Sequence, residues 1–298
     1  MTADQFSSER NWKTFIESIK AEIKNESGLT DKKQAISILK QQILDSIEKN
    51  LPESRKEKVG IAFSGGVDSS TIALICKQLK QNFCCYSVGL ENAEDIIWAK
   101  KVAKRLGFKL KIRILTIKDV EKQLKKLSKI LPELDVVKAG VGLVTLTAAE
   151  MAKKDKIKMM FTGLGSEEIF AGYQRHLEAS ENKKDVNEEC WNGLSAMYQR
   201  DIMRDLPILQ SLKMKAATPL LDVDVIKTAM RIPTEYKINK VQNKIIFREV
   251  AQSMGLPKEF AQRKKRAAQY GSRFDKAIEK LAKIKGFGLK KEYLRSLN

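Results

Sequence analysis

The sequence predicts an α/β fold: a doubly wound, mainly parallel sheet with helices on both faces, followed by a helical C-terminal part. Three observations carry this. Short apolar runs alternate with amphipathic stretches from residue 59 to residue 163, the βαβ order of a parallel sheet. The run at 59–64, "VGIAFS", is nearly all apolar, as a strand buried on both faces should be. After residue 175 strand signals vanish and the apolar spacing is helical.

Residues 12–23 and 33–48 show helical spacing, with Ile36, Leu39, Ile43, Leu44 and Ile47 on one stripe. "NLPESRKEK" then reads as a polar loop before the first strand, 59–64. A helix from Ser69 to Lys80 places Ile72, Ile75, Cys76 and Leu79 on one face. "FCCYSVGL" (83–90) is a second strand. The helix from Ala93 to Leu106 turns Ile96, Ala99, Ala103 and Leu106 inward, and "KLKIRILT" (109–116) alternates as a third strand. Helices follow around 118–131 and 141–154, then a fourth strand, "IKMMFTG" (157–163). The expected blocks are an N-terminal helical segment, 1–58, an α/β core, 59–175, and a helical, basic C-terminal part, 176–298.

The chain of 298 residues is 43% hydrophobic and 31% charged, the balance of a soluble globular protein. No run approaches the ~18 apolar residues of a membrane span. The opening "MTADQFSSERNWKTF" has no apolar signal-peptide region. Cys76, Cys84, Cys85 and Cys190 form no CxxC pair, so reduced structural thiols in a cytoplasmic protein are expected. A single histidine, His176, argues against a histidine-rich metal site or a Ser-His-Asp triad. Net charge is +19, and residues 260–298 carry 12 Lys/Arg against 3 Asp/Glu, nearly half the excess. Such a tail suits nucleic acid or a polyphosphate. It is equally the composition of a solvated lysine-rich surface.

The stretch 59–74, "VGIAFSGGVDSSTIAL", puts a tight turn, Gly65-Gly66, between a strand ending at Ser64 and a helix starting near Ser69. Ligands of open parallel sheets bind at the carboxyl ends of strands. Glycine lets backbone N–H groups approach an anion, and a helix N-terminus adds unpaired amides and a positive end. Ser64, Ser69 and Ser70 can donate further hydrogen bonds. All of this favours phosphate. Asp68 would repel it unless Mg²⁺ lies between, as in sites that join one or two carboxylates with substrate phosphates. There is no GxxxxGK(S/T) and no GxGxxG, so neither a Walker A loop nor a dinucleotide fingerprint is present. A plain glycine turn capped by Asp or Ser is the alternative.

"SGGVDSS" in this setting resembles the PP-loop of the N-type ATP pyrophosphatases. That group includes asparagine, argininosuccinate, GMP and NAD synthetases, tRNA thiolases and lysidine synthetases. The resemblance implies a PP-loop, adenine nucleotide alpha hydrolase-like fold and cleavage of ATP between its α- and β-phosphates. A substrate oxygen is adenylated, then displaced by nitrogen or sulfur. A second string, "FTGLGSEEIFAGYQRH" (161–176), closes the fourth strand and opens a helix. Ser166 reads as its N-cap, with Glu167 and Glu168 in the first turn, for which helix-dipole compensation is the plain alternative. The string also resembles the "SGxGSDE-(I/V)-F-x-GY" signature of the synthetase domain of asparagine synthetase. The likeness continues in order through "YSVGLENAEDIIWAKKVAKRLG", "ATPLLDVDVIKTAMRIP" and "NKIIFREVAQSMGLPKEFAQRKK", over roughly residues 35–275.

The resemblance implies these roles. Ser64, Gly65, Gly66, Asp68, Ser69 and Ser70 hold pyrophosphate. Asp68 and Glu167 bind Mg²⁺, with Glu where the family usually has Asp. Val88 and Gly89 line the adenine pocket, and Thr162 and Gly163 touch the nucleotide. Lys244 and Lys265 are catalytic, steadying the phosphates as charge develops on the leaving pyrophosphate. Asp222 shapes the acceptor-substrate end. Locally, Lys244 and Lys265 could instead be solvated helix lysines, and Asp222 a helix N-cap.

Two departures from the family pattern stand out. The glutamine-hydrolysing domain, which in that family begins with a cysteine right after the initiator Met, is not expected, because Thr2 follows Met1. The nitrogen is then free ammonia, the product of a separate glutaminase subunit, or another nucleophile. Leu164 also stands where asparagine synthetases carry a glutamate, and leucine neither accepts a proton nor binds a cation. Both departures, and "KRAAQYGSR" near the end, are similar to the asparagine synthetase domain-containing subgroup. There Arg266, Gln269, Ser272 and Arg273 are expected near the site mouth. The first functional reading is an ATP-dependent amide-forming ligase that activates a carboxylate, aspartate included, and transfers it to ammonia. The alternative is a tRNA-modifying member that adenylates a base carbonyl. A third is an ATP-binding partner that has lost catalysis. No membrane partner is expected.

Overall fold

The computed structural model describes residues 6–264 and 266–297. Its residues fall into two compact units: one from Glu53–Thr162, Met203–Ala217 and Arg263–Asn298, the other from Met1–Pro52, Gly163–Ile202 and Thr218–Gln262. The sequence reading divides the chain into the consecutive blocks 1–58, 59–175 and 176–298. The compact units interleave instead, because the chain leaves the sheet after its fourth strand and returns for a fifth.

The first unit holds strands β1 (Val59–Ala62), β2 (Phe83–Gly89), β3 (Leu110–Ile114), β4 (Met159–Phe161) and β5 (Lys215–Ala217), in the spatial order β3-β2-β1-β4-β5. Every pairing is parallel, with Gly60 of β1 opposite Cys84 on one side and Met160 on the other. The chain winds from β1 outward to β3, then crosses to β4, so the switch point lies between β1 and β4, where a ligand crevice is expected. Helices cover both faces. Cys84, Tyr86 and Val88 alternate onto one face and join a core with Leu124, Leu143, Ile208 and Phe274. These come from the helices Ile117–Ile130, Val136–Lys154, Met203–Ser211 and Phe274–Ile284. The helices Val67–Gln78 and Glu94–Leu106 cover the other face. Helix starts follow their caps: Thr116 and Asp119 form a capping box, and Asp135 accepts from the N–H groups of Val137 and Lys138.

β5 corrects the expectation of no strand after residue 175. "KAA" has no apolar alternation of its own; pairing with β4, Met159 to Lys215 and Phe161 to Ala217, makes it a strand. The helix expected near Ser69 begins two residues earlier, at Val67.

The second unit is helical. Its longest helices, Glu9–Ile23 and Lys32–Asn50, are capped by Ser8 and Asp31. Trp12 is fully buried and its indole N–H donates to Leu194 O at 2.7 Å. All four cysteines are buried and unbridged, and burial pushes the Cys76 thiol up to about 12. Such thiols are structural and inert. Among the described residues no helix is long and apolar enough to cross a membrane.

Candidate functional site

The sheet unit carries the first set of candidate residues, at the carboxyl end of β1. Phe63 N–H still donates to Tyr86 O, at 2.9 Å, and the chain then turns through Ser64, Gly65 and Gly66. Gly65 has φ +70°, and a Cβ there would lie 2.7 Å from backbone atoms of Trp98 and Ala99. Its bareness therefore seats the turn on the helix Glu94–Leu106, a use beyond the approach to an anion. Gly66 N–H donates to Ser64 Oγ at 3.2 Å, and Gly66 is the N-cap of Val67–Gln78 with no side-chain capping bond. Ser69 Oγ donates to Gly66 O at 3.3 Å. Ser70 is fully buried, yet its hydroxyl has no hydrogen-bond partner. Thr162, one residue beyond β4, likewise has a buried hydroxyl without a partner, while its N–H donates to Ala217 O. Buried polar groups are normally satisfied. Ser70 stands one turn into the helix that follows β1 and Thr162 one residue past β4, and both hydroxyls are donors that an oxygen-rich ligand would satisfy. Asp68 lies in the first turn of the same helix.

Val88 is buried in the core and the Gly89 carbonyl accepts from Leu115 N–H at 2.9 Å. Just beyond them a cavity of about 380 Å³ is lined by Leu90, Asn92, Leu115, Ile117 and Arg273. A Cβ at Gly89 would lie 2.9 Å from Ser272 O. The segment following Lys265 runs along this edge: Leu90 N–H donates to Ser272 O at 3.0 Å, and Arg273 donates to Glu91 O at 3.0 Å. Of the residues expected at the mouth, Ser272, Arg273 and Arg266 thus face the loops after β2, and Gln269 packs where Gly140 has no side chain. Lys265 itself lies outside the described residues.

The sequence passes over Arg263, Asp95 and Trp98. Arg263 donates to Ser64 O and to Asp95 Oδ1, each at 2.7 Å, and its guanidinium lies 5.3 Å from the Trp98 ring centroid. The only hint is an Arg two residues before Lys265; the pairing joins residues far apart in the chain.

The helical unit carries the rest. Gly165, at φ +95°, is the N-cap of Ser166–Ile169, which corrects the expectation that Ser166 caps it. Ser166 Oγ instead accepts from Lys244 Nζ at 2.8 Å, and the same ammonium is paired with Glu167. Lys244, in the left-handed region at φ 55°, is completely buried, so it is not a solvated helix lysine. A Cβ at Gly172 would overlap Glu167 and lie 2.5 Å from Lys244 Cε; the glycine makes room for the pair. Glu168 is ion-paired with Arg200, which also donates to Asp201. Burial, and then the nearby Asp201, push Glu168 up to about 7. His176 Nδ1 accepts from Tyr173 N–H at 3.1 Å, and burial pulls His176 down to about 3, holding it neutral. Asp222 caps Val223–Arg231 through Asp224 N–H and lies 3.7 Å from Lys49, so the capping alternative is realised. Gly163 O accepts from Ser166 N–H.

Among the described residues no group of three or more His, Cys, Asp or Glu could hold a metal ion. A protein cage is thus not offered there. Mg²⁺ takes few protein carboxylates and completes its shell with phosphates and water, so a single carboxylate such as Asp68, in the first turn of the helix after β1, is compatible with it.

The asparagine synthase family model matches residues 39–186 and 178–286. The chain is 34% identical over 269 residues to a Methanocaldococcus jannaschii protein named "Putative asparagine synthetase (glutamine-hydrolyzing) 1", covering 79% of this chain and 49% of that protein. It is 29% identical over 198 residues to asparagine synthetase (glutamine-hydrolyzing) 1 of Arabidopsis thaliana, covering 61% and 32%. The chain thus spans about half of the first relative's length and about a third of the second's. Among solved structures, NMN synthetase from Francisella tularensis overlays with a TM-score of 0.43 at 12% identity, covering 89% of this chain and 91% of that one. With the family match running over most of its length, the chain belongs to the asparagine synthase family of ATP-dependent synthetases.

Proposed function

We propose that this chain is an ATP-dependent amide-forming ligase. A substrate carboxylate oxygen attacks the α-phosphorus of ATP, the α–β bridging bond breaks, and pyrophosphate leaves. Ammonia then attacks the acyl carbon, AMP departs with the bonding electrons, and the nitrogen loses a proton. The observation that carries this reading is the uncapped helix start after β1, with its bare turn and the orphaned hydroxyl of Ser70.

On this reading Ser64, Gly65, Gly66, Ser69 and Ser70 bind the pyrophosphate portion through backbone N–H and hydroxyl donors. Val88 and Gly89 bound the adenine side, and Thr162 and Gly163 contact the nucleotide. Asp68 and Glu167 are the metal carboxylates; bound Mg²⁺ supplies charge neutralisation to the phosphates. Lys244 and Lys265 stabilise charge on departing pyrophosphate. The burial of Lys244 against Glu167 supports an electrostatic role for it over a surface one. Asp222 orients the acceptor end through the helix it caps. Leu164 leaves that position without a proton acceptor, so the proton lost from nitrogen goes elsewhere. Aspartate is the proposed acyl substrate, and free ammonia or a separate glutaminase subunit the nitrogen source.

ATP–pyrophosphate exchange, screened with aspartate, other carboxylates and tRNA, tests this. Exchange with aspartate that Asp68→Asn abolishes is the expected result. Exchange with RNA alone would replace the ligase with a base-modifying enzyme.

A further inference from the structure

Arg263 and Arg266 flank Lys265 in the sequence, and both are tied to one turn of helix. Arg263 pairs with Asp95 at 2.7 Å and Arg266 with Glu94 at 2.5 Å, adjacent carboxylates at the start of Glu94–Leu106. The two pairs differ in kind. Arg266 is exposed and Glu94 half-buried, whereas the side chains of Arg263 and Asp95 are 5% and 8% exposed. The planar guanidinium fork spends one arm on Asp95 and the other on Ser64 O, so its rigid geometry fixes the spacing between the helix and the turn. The same helix supplies the backbone on which Gly65 rests.

Asp95 is held from its other side as well. A Cβ at Gly271 would lie within 2.5 Å of both carboxylate oxygens, so Gly271 lets the carboxylate sit against the chain eight residues past Arg263. Two acidic residues in a first helical turn are ordinarily explained by the helix dipole. Dipole compensation needs neither a buried arginine bonded to the turn nor a glycine cut to fit the carboxylate.

We propose that Arg263 is a positioning residue for pyrophosphate release, and that the Arg263–Asp95 pair, seconded by Arg266–Glu94, docks residues 263–264 and 266–273 onto the turn at Ser64–Gly66. Its consequence for catalysis rests on the ligase reading. The docking itself does not.

The test therefore has two arms, both on the full chain. Trypsin cleavage after Lys264 and Arg266 reads docking without any nucleotide. Asp95→Asn and Glu94→Gln remove one charge each and keep every tryptic site; Gly271→Ala keeps all charges and displaces Asp95. The Asp95→Asn/Glu94→Gln double variant and Gly271→Ala should each be cut about tenfold faster than wild type in this segment, with cleavage elsewhere unchanged. Equal cleavage rates overturn the docking. In the second arm, ATP–pyrophosphate exchange by Arg263→Lys, which keeps the charge and loses the fork, should lose about 10²-fold in turnover with KM for ATP moving far less. Adding Lys265→Ala to Arg263→Lys should then cost little more, since the two act as a unit. Full additivity, or unchanged turnover, overturns the positioning role. Wild-type protein without exchange on any substrate sinks the ligase reading and the positioning role with it, while the cleavage comparison still decides the docking.

Discussion

The ammonium of Lys244 is buried without exposure against the carboxylate of Glu167, itself only 10% exposed. The two come from distant parts of the chain, and Gly172 leaves them the space. Removing one partner strands the other in a low-dielectric interior. Lys244→Ala should therefore destabilise the protein by roughly 3–5 kcal/mol. Denaturant unfolding reads this, and Glu167→Ala in the same background should recover part of the loss. A cost below ~1 kcal/mol would return Lys244 to the class of solvated lysines.

Ser70 gives the opposite sign. Its hydroxyl is buried and has no hydrogen-bond partner, so Ser70→Ala should leave stability unchanged or raise it by up to ~1 kcal/mol. Under the ligase reading the same change weakens ATP binding. Thermal unfolding with and without Mg·ATP separates the two effects, since a ligand stabilises only the form it binds. A Ser70→Ala protein shifted by nucleotide as fully as wild type would remove the hydroxyl from the phosphate site.

Gly65 is constrained twice, by its positive φ and by the backbone of Trp98 and Ala99 at 2.7 Å from a built Cβ. A side chain there must strain the turn or push the helix away. Gly65→Ala should cost about 1–3 kcal/mol and abolish exchange. Wild-type exchange in that variant would sever the turn from the chemistry.

Acid stability should reveal two buried groups that pull in opposite directions. Glu168 is raised to about 7 from 4.5, so the folded protein binds its proton more tightly, and its contribution is present below pH 4.5 and lost as pH rises through 7. His176 is lowered to about 3 from 6.5, so its contribution is present above pH 6.5 and lost as pH falls through 3. Between pH 4.5 and 6.5 the slopes compete. Glu168→Gln should make stability climb more steeply with pH across that window, and His176→Gln should make it fall. Chemical denaturation at a series of pH values decides; parallel curves for all three proteins would refute both assignments.

The order of elements was legible because buried strands and amphipathic helices write their period into the apolar residues, as "VGIAFS" and the stripe from Ile36 to Ile47 do. The turn at Gly65-Gly66 was legible because glycine, serine and aspartate cluster there for backbone reasons that act locally. β5 was not, since "KAA" becomes a strand only by hydrogen bonding to β4. Ser166 reads as a cap because cap propensity is local, but its hydroxyl is engaged by Lys244 from far along the chain.

What the sequence determined by itself, then, is the alternation of elements, the family, and the residues around the bare turn, all of which depend on neighbours in the chain. Tertiary structure decided what the charges do. It buried Lys244 on Glu167 and set Arg263 between Asp95 and Ser64. A charge declares its role only through the partner and the dielectric it meets, and in this fold those partners lie tens to hundreds of residues away.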